Sequence, residues 1–242
     1  YNIGLSSRIF HTKKKKMIIE INKPFPLYRC DTELPPNKWT ESHALKTNYG
    51  TKYGDKGPKN KAGLFFFHDN KDVSNSYGIE SLKKINKDLD EENHLEYYYI
   101  TETDIIKPIK IIDFSKCHSM FMMIDLLMQN GINILTSEFT NHHNNITFDN
   151  FLVDYNNYLD TGDSLNALRM VLINGDVPAE YSYFGQLISD FENGIALKKI
   201  LEEKNIDGYR WREHNDPRGL TYCLLNSTKL QEPSVSKIEV TL

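Results

Sequence analysis

An arginine at the end of a short apolar segment is the first residue whose type suggests chemistry. Leu27, Tyr28 and Arg29 are followed by Asp31 and then by two prolines. A guanidinium at a strand end, beside a basic loop, is well placed to make bidentate contacts with a phosphate. A surface arginine held in an ion pair would leave the same pattern, so Arg29 alone does not decide the function.

An aromatic segment and the turn after it form a second candidate group. Gly63–His68 reads GLFFFH, which predicts a compact buried strand, and Asp69-Asn70 can cap a short helix around 73–77. Helix spacing places Tyr77 on the same face as Val73, which would present a ring and a hydroxyl beside the strand end. Such a ring suits stacking on a planar heterocycle, whereas an aromatic core strand is the structural alternative.

Titratable residues are dense in a third segment near the C-terminal end. Asp207-Gly208 opens a short strand, a polar loop covers 212–218, and the strand TYCLLNSTKL begins at Thr221. Dense titratable groups suggest a site, although a solvated hairpin tip would look the same. The titratable residues of the loop are Arg212, Glu213, His214, Asp216 and Arg218.

Secondary-structure elements must position these groups. The predicted strands and the predicted helices occupy mostly different parts of the chain. Two short strand pieces are predicted within 17–30, broken by Pro24 and Pro26. Further strands are predicted over 63–68, 94–102, 109–114, 206–211, 219–226 and, at an edge, 238–242. Charged helix spacing marks 81–92, and apolar helix spacing fills a block from 118 to 205 that includes a helix over 195–203. The fold class is therefore α+β, a strand-rich frame with an inserted helical block.

Charge is unevenly distributed along the 242 residues. Residues 1–61 carry 13 Lys or Arg against 5 Asp or Glu, a net +8, whereas the remainder carries a net −12. We expect residues 1–16, with Lys13–Lys16, to form a basic disordered segment, and 17–242 to form one domain. The basic front suggests an anionic ligand, and the acidic body disfavours nucleic acid as a partner.

Several classes of protein are disfavoured by missing patterns. Three widely spaced cysteines imply no disulfide framework, and no ligand spacing predicts a metal site. Phosphate-binding glycine loops are absent, so classical dinucleotide folds and P-loops have no support. No apolar run is long enough for a membrane helix, and no signal peptide follows the lysine run.

Taken in order, the three candidate segments resemble the ADP-ribosyltransferase family over residues 25–114 and 205–232. The Leu-Tyr-Arg-x-Asp-x-x-x-Pro-Pro segment resembles the opening of the cholera- and pertussis-toxin group. The Gly63–Phe67 strand and the Ser76-Tyr77 helix resemble the second block of diphtheria-toxin-like and poly-ADP-ribose-polymerase-like members. The Asp207-Gly208 turn and the TYCLLNSTKL strand resemble the family's last block.

The resemblance implies a split β-sheet core and a set of roles at an NAD site. Arg29 would hold the pyrophosphate or adjoining ribose, and Phe67 and Tyr77 would sandwich the nicotinamide. Further NAD-binding positions would be Tyr28, Gly63, His68 and Ser76. NAD would be a substrate, with no tightly bound cofactor and no metal.

The catalytic position departs from the family pattern. The residue before the tyrosine of the last block is commonly a glutamate, but here it is Thr221, and Gly219 stands two residues earlier. A threonine can hydrogen-bond but cannot carry negative charge. The carboxylate could instead come from the preceding loop, with Glu213 as first choice and Asp216 as second. Catalysis could also use a different residue set, or the domain could bind NAD or a partner without turnover.

The leading functional hypothesis is a mono-ADP-ribosyltransferase that transfers ADP-ribose from NAD to a protein. The resemblance and the Asn-, Lys- and Ile-rich usage suggest a bacterial toxin or effector, secreted or translocated to act in the cytosol of a target cell. A host activator or an immunity protein would be a further partner. The alternatives are an NAD glycohydrolase on the same fold and a catalytically silent interaction module.

Overall fold

The apolar segments of the sequence become the strands of one sheet in the computed structural model. The structure describes residues 17–22, 24–40, 62–117, 126, 127, 130, 132, 192–212 and 218–240. Within them, eight strands form a sheet in the order β1-β5-β6-β7-β3-β2-β4-β8. The strands are β1 Ile18–Ile21, β2 Phe25–Asp31, β3 Phe65–His68, β4 Tyr97–Ile105, β5 Ile109–Asp113, β6 Gly208–Arg212, β7 Leu220–Leu224 and β8 Ser234–Glu239.

All strand pairs in this sheet are antiparallel except the parallel pair of β5 and β6. This mixed architecture with helices confirms the predicted α+β class. The predicted break at Pro24 is confirmed, but Pro26 lies inside β2, opposite Asp104 of β4. Pro26 is tolerated because it lies beyond the register pair that joins β2 to β3, where one side of β2 has no strand to bond. The last strand was predicted over 238–242, whereas β8 begins at Ser234.

Neighbouring strands of the sheet share the fewest register pairs between β2 and β3. These two strands share a single register pair, Tyr28 with His68, whereas β2 and β4 share seven, from Phe25 to Asp31. One half of the sheet contains β1, β5, β6, β7 and β3, and the other contains β2, β4 and β8. The described strands thus form one continuous sheet, divided into two halves that meet at the Tyr28–His68 pair.

One helix, α1, spans Lys71–Asn86 where two separate segments were predicted. Its N-cap is Asn70, whose side chain accepts a hydrogen bond from the Asp72 backbone N–H at 2.8 Å, as the sequence predicted. Gly78 interrupts the apolar pattern but is required by packing, because a Cβ there would lie 2.5 Å from the Tyr98 ring. The helix ends before a short 3₁₀ turn, Glu91–Asn93.

A second helix, α2, covers Glu192–Glu203 and agrees with the segment predicted over 195–203. Most of the predicted helical block 118–205 lies outside the described residues, and so does the predicted disordered segment 1–16.

The two faces of the sheet differ in what covers them. We call the face beneath α1 the helix face; there Tyr28, Cys30, Tyr98 and Ile100 pack with Leu82 of the helix. The other face, which we call the core face, carries the larger apolar cluster. Its buried members are Leu27, Phe65, Phe67, Ile105, Ile109, Ile111, Tyr222, Leu224 and Leu230. Alternation along a strand assigns each neighbouring side chain to the opposite face.

Candidate functional site

A row of polar and aromatic residues crosses the helix face at the junction between the two half-sheets. Register pairs connect Thr221 of β7 to His68 of β3, His68 to Tyr28 of β2, and Tyr28 to Glu102 of β4. The row therefore brings together four strands that are far apart in sequence. Two of them, β2 and β3, meet only at this row.

His68 joins the predicted stacking residue to the predicted catalytic position. Its ring stacks on Tyr77 of α1, with centroids 4.9 Å apart and planes 5° from parallel. Its Nδ1 lies 3.2 Å from the Thr221 hydroxyl oxygen. We call these three residues the His68 cluster. It offers aromatic surface and a hydroxyl at one place, and a planar heterocycle could extend such a stack.

The loop before β7 is tied to α1 through Ser76. Arg218 donates a hydrogen bond from Nη2 to Ser76 Oγ at 2.8 Å, and Ser76 Oγ donates to the Asp72 carbonyl at 3.0 Å. The carbonyl of Arg218 lies 3.5 Å from Asn70 Nδ2. These bonds hold the start of β7 against the start of α1, beside the His68 cluster.

Tyr28 lies next to the cluster under a surface ion pair. Lys71 Nζ lies 5.9 Å from the centre of the Tyr28 ring and 3.6 Å from Glu102 Oε2. Burial raises the pKa of the Tyr28 phenol, and the charges of Glu102 and Asp104 raise it further. Tyr28 thus stays protonated and can donate a hydrogen bond.

Arg29 lies on the opposite side of β2, on the core face, in register with Thr101. It is only 7% exposed, and it binds Asp31 through Nε at 2.9 Å and Nη2 at 2.7 Å. The buried pair explains how a charged side chain is accommodated at this depth. A phosphate that binds Arg29 would have to share the guanidinium with Asp31.

The structure does not bring Phe67 to Tyr77. Phe67 is 1% exposed, belongs to the core face, and makes a T-shaped contact with Trp39 at 5.3 Å between ring centroids. The predicted sandwich of these two rings is therefore absent, because neighbouring residues of β3 face opposite sides and His68 is the one that meets Tyr77.

Gly63 also lies away from the His68 cluster. Its positive φ of 63° suits a glycine, and it lines an open cavity of about 290 Å³ beside Lys198 and Thr228. At the usual strand rise, five residues separate it from His68 by about 16 Å.

The predicted carboxylates cannot be placed at the site. Glu213 and Asp216 lie outside the described residues. Thr221, at the position where the resemblance expects a glutamate, is 4% exposed and lies beside His68.

Asp69, which the sequence predicts only as a helix-capping residue, lies next to His68 and contacts the start of β7. Asp69 follows His68, and its Oδ1 accepts a hydrogen bond from the Leu220 N–H at 2.7 Å. Burial raises the pKa of Asp69, against the lowering effects of the Leu220 bond and of Arg210. The available signal was its position directly after a strand, one residue before the N-cap.

A second, partly buried ion pair lies on the core face near this end of β7. Arg210 binds Asp113 through Nε at 3.0 Å and Nη2 at 3.1 Å, and Nη1 donates to the Tyr222 hydroxyl at 2.8 Å. Burial pushes the pKa of Asp113 upward, but the bonds from Arg210 and Ser115 outweigh it and leave that pKa below its ordinary value. The pair fixes three strands at one register.

The described residues contain neither a cluster of metal ligands nor a membrane-spanning helix. Among the described residues, no group of three or more His, Cys, Asp or Glu side chains is arranged to hold a metal ion. None of the helices that the structure describes is long and apolar enough to cross a membrane. Comparison with protein-family models, with curated proteins and with solved structures found no match to this chain.

Proposed function

We propose that this protein is a mono-ADP-ribosyltransferase that takes ADP-ribose from NAD and transfers it to a protein. The observation that carries the proposal is the His68 cluster at the junction of the half-sheets. His68, Tyr77 and Thr221 come from the second and last segments of the resemblance, and they are in contact. β2, from the first segment, adjoins them through Tyr28.

Each part of the site has a role in this reaction. Nicotinamide would stack on the aromatic surface of Tyr77 and His68, and the Thr221 hydroxyl would hydrogen-bond the ribose or the amide. Arg29, at the same junction on the other face, would hold the pyrophosphate in exchange for part of its contact with Asp31. Charge-assisted bonds of this kind orient the dinucleotide across the sheet.

The reaction needs little proton chemistry at its first step. The bond between ribose C1′ and the pyridinium nitrogen breaks, and its electron pair neutralises the nitrogen, so nicotinamide leaves uncharged. Positive charge develops on the ribose, and the acceptor then bonds to C1′ and gives up a proton. Positioning and electrostatic stabilisation therefore supply most of the rate.

The acceptor is proposed to be a protein because the chain beyond residue 61 carries a net charge of −12, which would repel a phosphate backbone. A toxin or effector role, with delivery into the cytosol of a target cell and a host activator or immunity protein as partner, belongs to the same proposal. The resemblance and the residue usage support it.

Nicotinamide release and label transfer test the proposal together. The purified protein is incubated with NAD carrying a tag on its adenosine part, with and without cell lysate. We expect nicotinamide release and tagged proteins. Arg29→Ala should lower both at least tenfold, whereas Lys237→Ala, which removes an exposed cation on edge strand β8, should lower neither.

The same assay separates the rival functions. Nicotinamide release without any tagged protein would select a glycohydrolase, in which water is the acceptor. No release and no change of unfolding temperature with NAD would contradict the proposal and favour an interaction module.

A further inference from the structure

The proposed reaction leaves one electrostatic requirement that Thr221 cannot meet. Positive charge develops on the ribose as nicotinamide departs, and a nearby carboxylate is the side chain that stabilises such a charge best. Thr221 is neutral and almost fully buried. The carboxylate must therefore come from another residue near the stacked rings of the His68 cluster.

Asp69 is held at the start of β7 by a two-way contact with Leu220. Its carboxylate oxygen Oδ1 accepts the Leu220 N–H at 2.7 Å, and its own N–H donates to the Leu220 carbonyl at 3.1 Å. Leu220 is the residue directly before Thr221. Asp69 is also the residue directly after His68. The end of β3 and the start of β7 therefore both position Asp69.

The Asp69 carboxylate fills the space that a side chain at position 219 would otherwise take. A Cβ at Gly219 would lie 3.0 Å from Asp69 Oδ1, 3.0 Å from Asn70 Cβ and 3.2 Å from Val73 Cγ2. A glutamate or glutamine at 219 would thus compete with the Asp69 carboxylate for one volume. Asn70 is the N-cap of α1 and Val73 lies in its first turn, so this volume lies between the start of β7 and the start of α1.

Burial makes it unfavourable for Asp69 to carry a negative charge, and the fold does not need that charge. Burial raises the pKa of this carboxyl, although Arg210 and Arg212 act in the opposite direction. A group whose folded-state pKa is raised lowers the stability of the fold once it ionises. A neutral asparagine could accept the same Leu220 bond, so the charge serves the fold less well than an amide would.

We infer that Asp69 is the catalytic carboxylate of this site, and this inference rests on the proposed function. One oxygen, Oδ1, is held by Leu220, which leaves the other, Oδ2, to act on the substrate ribose. As the C1′–N bond breaks and its electron pair leaves with nicotinamide, Oδ2 stabilises the positive ribose. Oδ2 then accepts a hydrogen bond from the incoming acceptor, which bonds to C1′ and passes its proton through Oδ2 to the solvent.

Glu102, also in the row of the helix face, is the weaker choice. It is about half exposed and forms an ion pair with Lys71 at 3.6 Å. Solvent and the lysine therefore screen its charge. Asp69 has no such lysine partner among the described residues, and its Oδ1 is held by the Leu220 N–H.

Asp69→Asn tests the inference, with Asp72→Asn as the matched control. Asp72 is an exposed carboxylate in the first turn of α1, three residues further along. We expect Asp69→Asn to lower the rate of nicotinamide release about 100-fold, the usual scale for loss of an electrostatic stabiliser. Its unfolding temperature at pH 7 should equal or exceed that of the unmodified protein, and Asp72→Asn should keep the full rate.

Gly219→Ala supplies a second variant that leaves the carboxylate in the chain. Its methyl group would push Asp69 aside, so the rate should fall at least tenfold. A full rate in Asp69→Asn and Gly219→Ala, with a loss in Arg29→Ala, would overturn the role of Asp69 and leave the proposed function standing. Loss of rate in Glu213→Gln alone would move the role to that loop. No nicotinamide release by the unmodified protein would overturn both.

Discussion

Tyr77 is the residue whose environment most directly suggests a flat ligand. Its ring is already held parallel to His68 by the packing of α1 against β3. A ring that is fixed before binding loses little conformational entropy when a ligand stacks on it. The stack is therefore a suitable platform for a planar ring, which the proposed function identifies as nicotinamide.

Two replacements of Tyr77 should distinguish the contribution of its ring to NAD binding from the contribution of its hydroxyl. Tyr77→Ala is expected to raise KM for NAD about tenfold, because an aromatic stack contributes about 0.5–1.5 kcal/mol beyond the buried area. Tyr77→Phe keeps the ring and should change KM less than about threefold. Steady-state nicotinamide release measures both, and an unchanged KM in Tyr77→Ala would exclude the stacking role.

Breaking the Arg29–Asp31 pair should weaken the fold but strengthen the binding of NAD. Asp31→Asn should lower the free energy of unfolding by about 1–3 kcal/mol, because a charged hydrogen bond to a buried guanidinium is weakened. The same change should lower KM for NAD, because Arg29 would no longer be shared. Urea unfolding and nicotinamide release are the measurements.

Glu239→Gln is the control for this pair, since Glu239 is 82% exposed in its contact with Lys237. It should change the unfolding free energy by less than about 0.5 kcal/mol. A higher KM for NAD in Asp31→Asn would show that Arg29 does not bind the pyrophosphate.

At the scale of elements, α1 is positioned by a close approach to β4. Gly78 packs against the Tyr98 ring, and the Tyr98 hydroxyl donates to Asn75 Oδ1 at 3.0 Å. This contact sets the depth of the helix and hence the height of Tyr77 above His68.

Gly78→Ala should destabilise the protein although alanine favours helix. Helix propensity alone predicts a gain of about 1 kcal/mol, but the new Cβ would lie 2.5 Å from a ring carbon. We expect a net loss of about 1–3 kcal/mol in thermal or urea unfolding. Lys83→Ala, at an exposed position of the same helix, is the control, and equal stability of the two variants would contradict the packing.

The Arg210 pair joins β5, β6 and β7, and its contribution should depend on pH. Arg210→Met removes the bonds to Asp113 and to Tyr222, so the free energy of unfolding at pH 7 should fall by about 2–4 kcal/mol. The pKa of Asp113 is lowered in the folded state, so this stability is present above the ordinary Asp pKa of about 3.9 and is lost as pH falls further. Urea unfolding from pH 7 to pH 3 should show the difference from the unmodified protein shrinking, and a constant difference would contradict the ion pair.

Many of the strands, and the N-cap of α1, could be predicted from local sequence patterns. The strands around Phe65, Tyr98 and Ile111 were predicted because apolar runs end at turn residues, and Asn70 was predicted as a cap from its type and position. Two helices were predicted in place of α1 because a glycine in mid-helix is a local penalty, and the Tyr98 ring that requires it is distant in sequence.

The site could be predicted only in part. The resemblance implied that His68, Tyr77 and Thr221 share one site, but it could not assign faces, so Phe67 was placed with Tyr77 instead of in the core. Asp69 was overlooked because its contact with Leu220 spans 151 positions of sequence, and no local pattern signals such a contact.

At the scale of the whole molecule, the two half-sheets meet at one register pair, Tyr28 with His68. The proposed ligand spans this junction, with its rings on the helix face and its phosphates toward Arg29 on the core face. Because β2 and β3 share no further pair, a dinucleotide could lie between them without breaking a long ladder of hydrogen bonds.

A crystal structure of the protein with NAD bound tests this account most directly. The account predicts nicotinamide stacked on Tyr77 or His68, the pyrophosphate within hydrogen-bond distance of Arg29, and the ribose hydroxyl within reach of Asp69. Binding of NAD away from the Tyr28–His68 junction, or no binding at millimolar NAD, would contradict it.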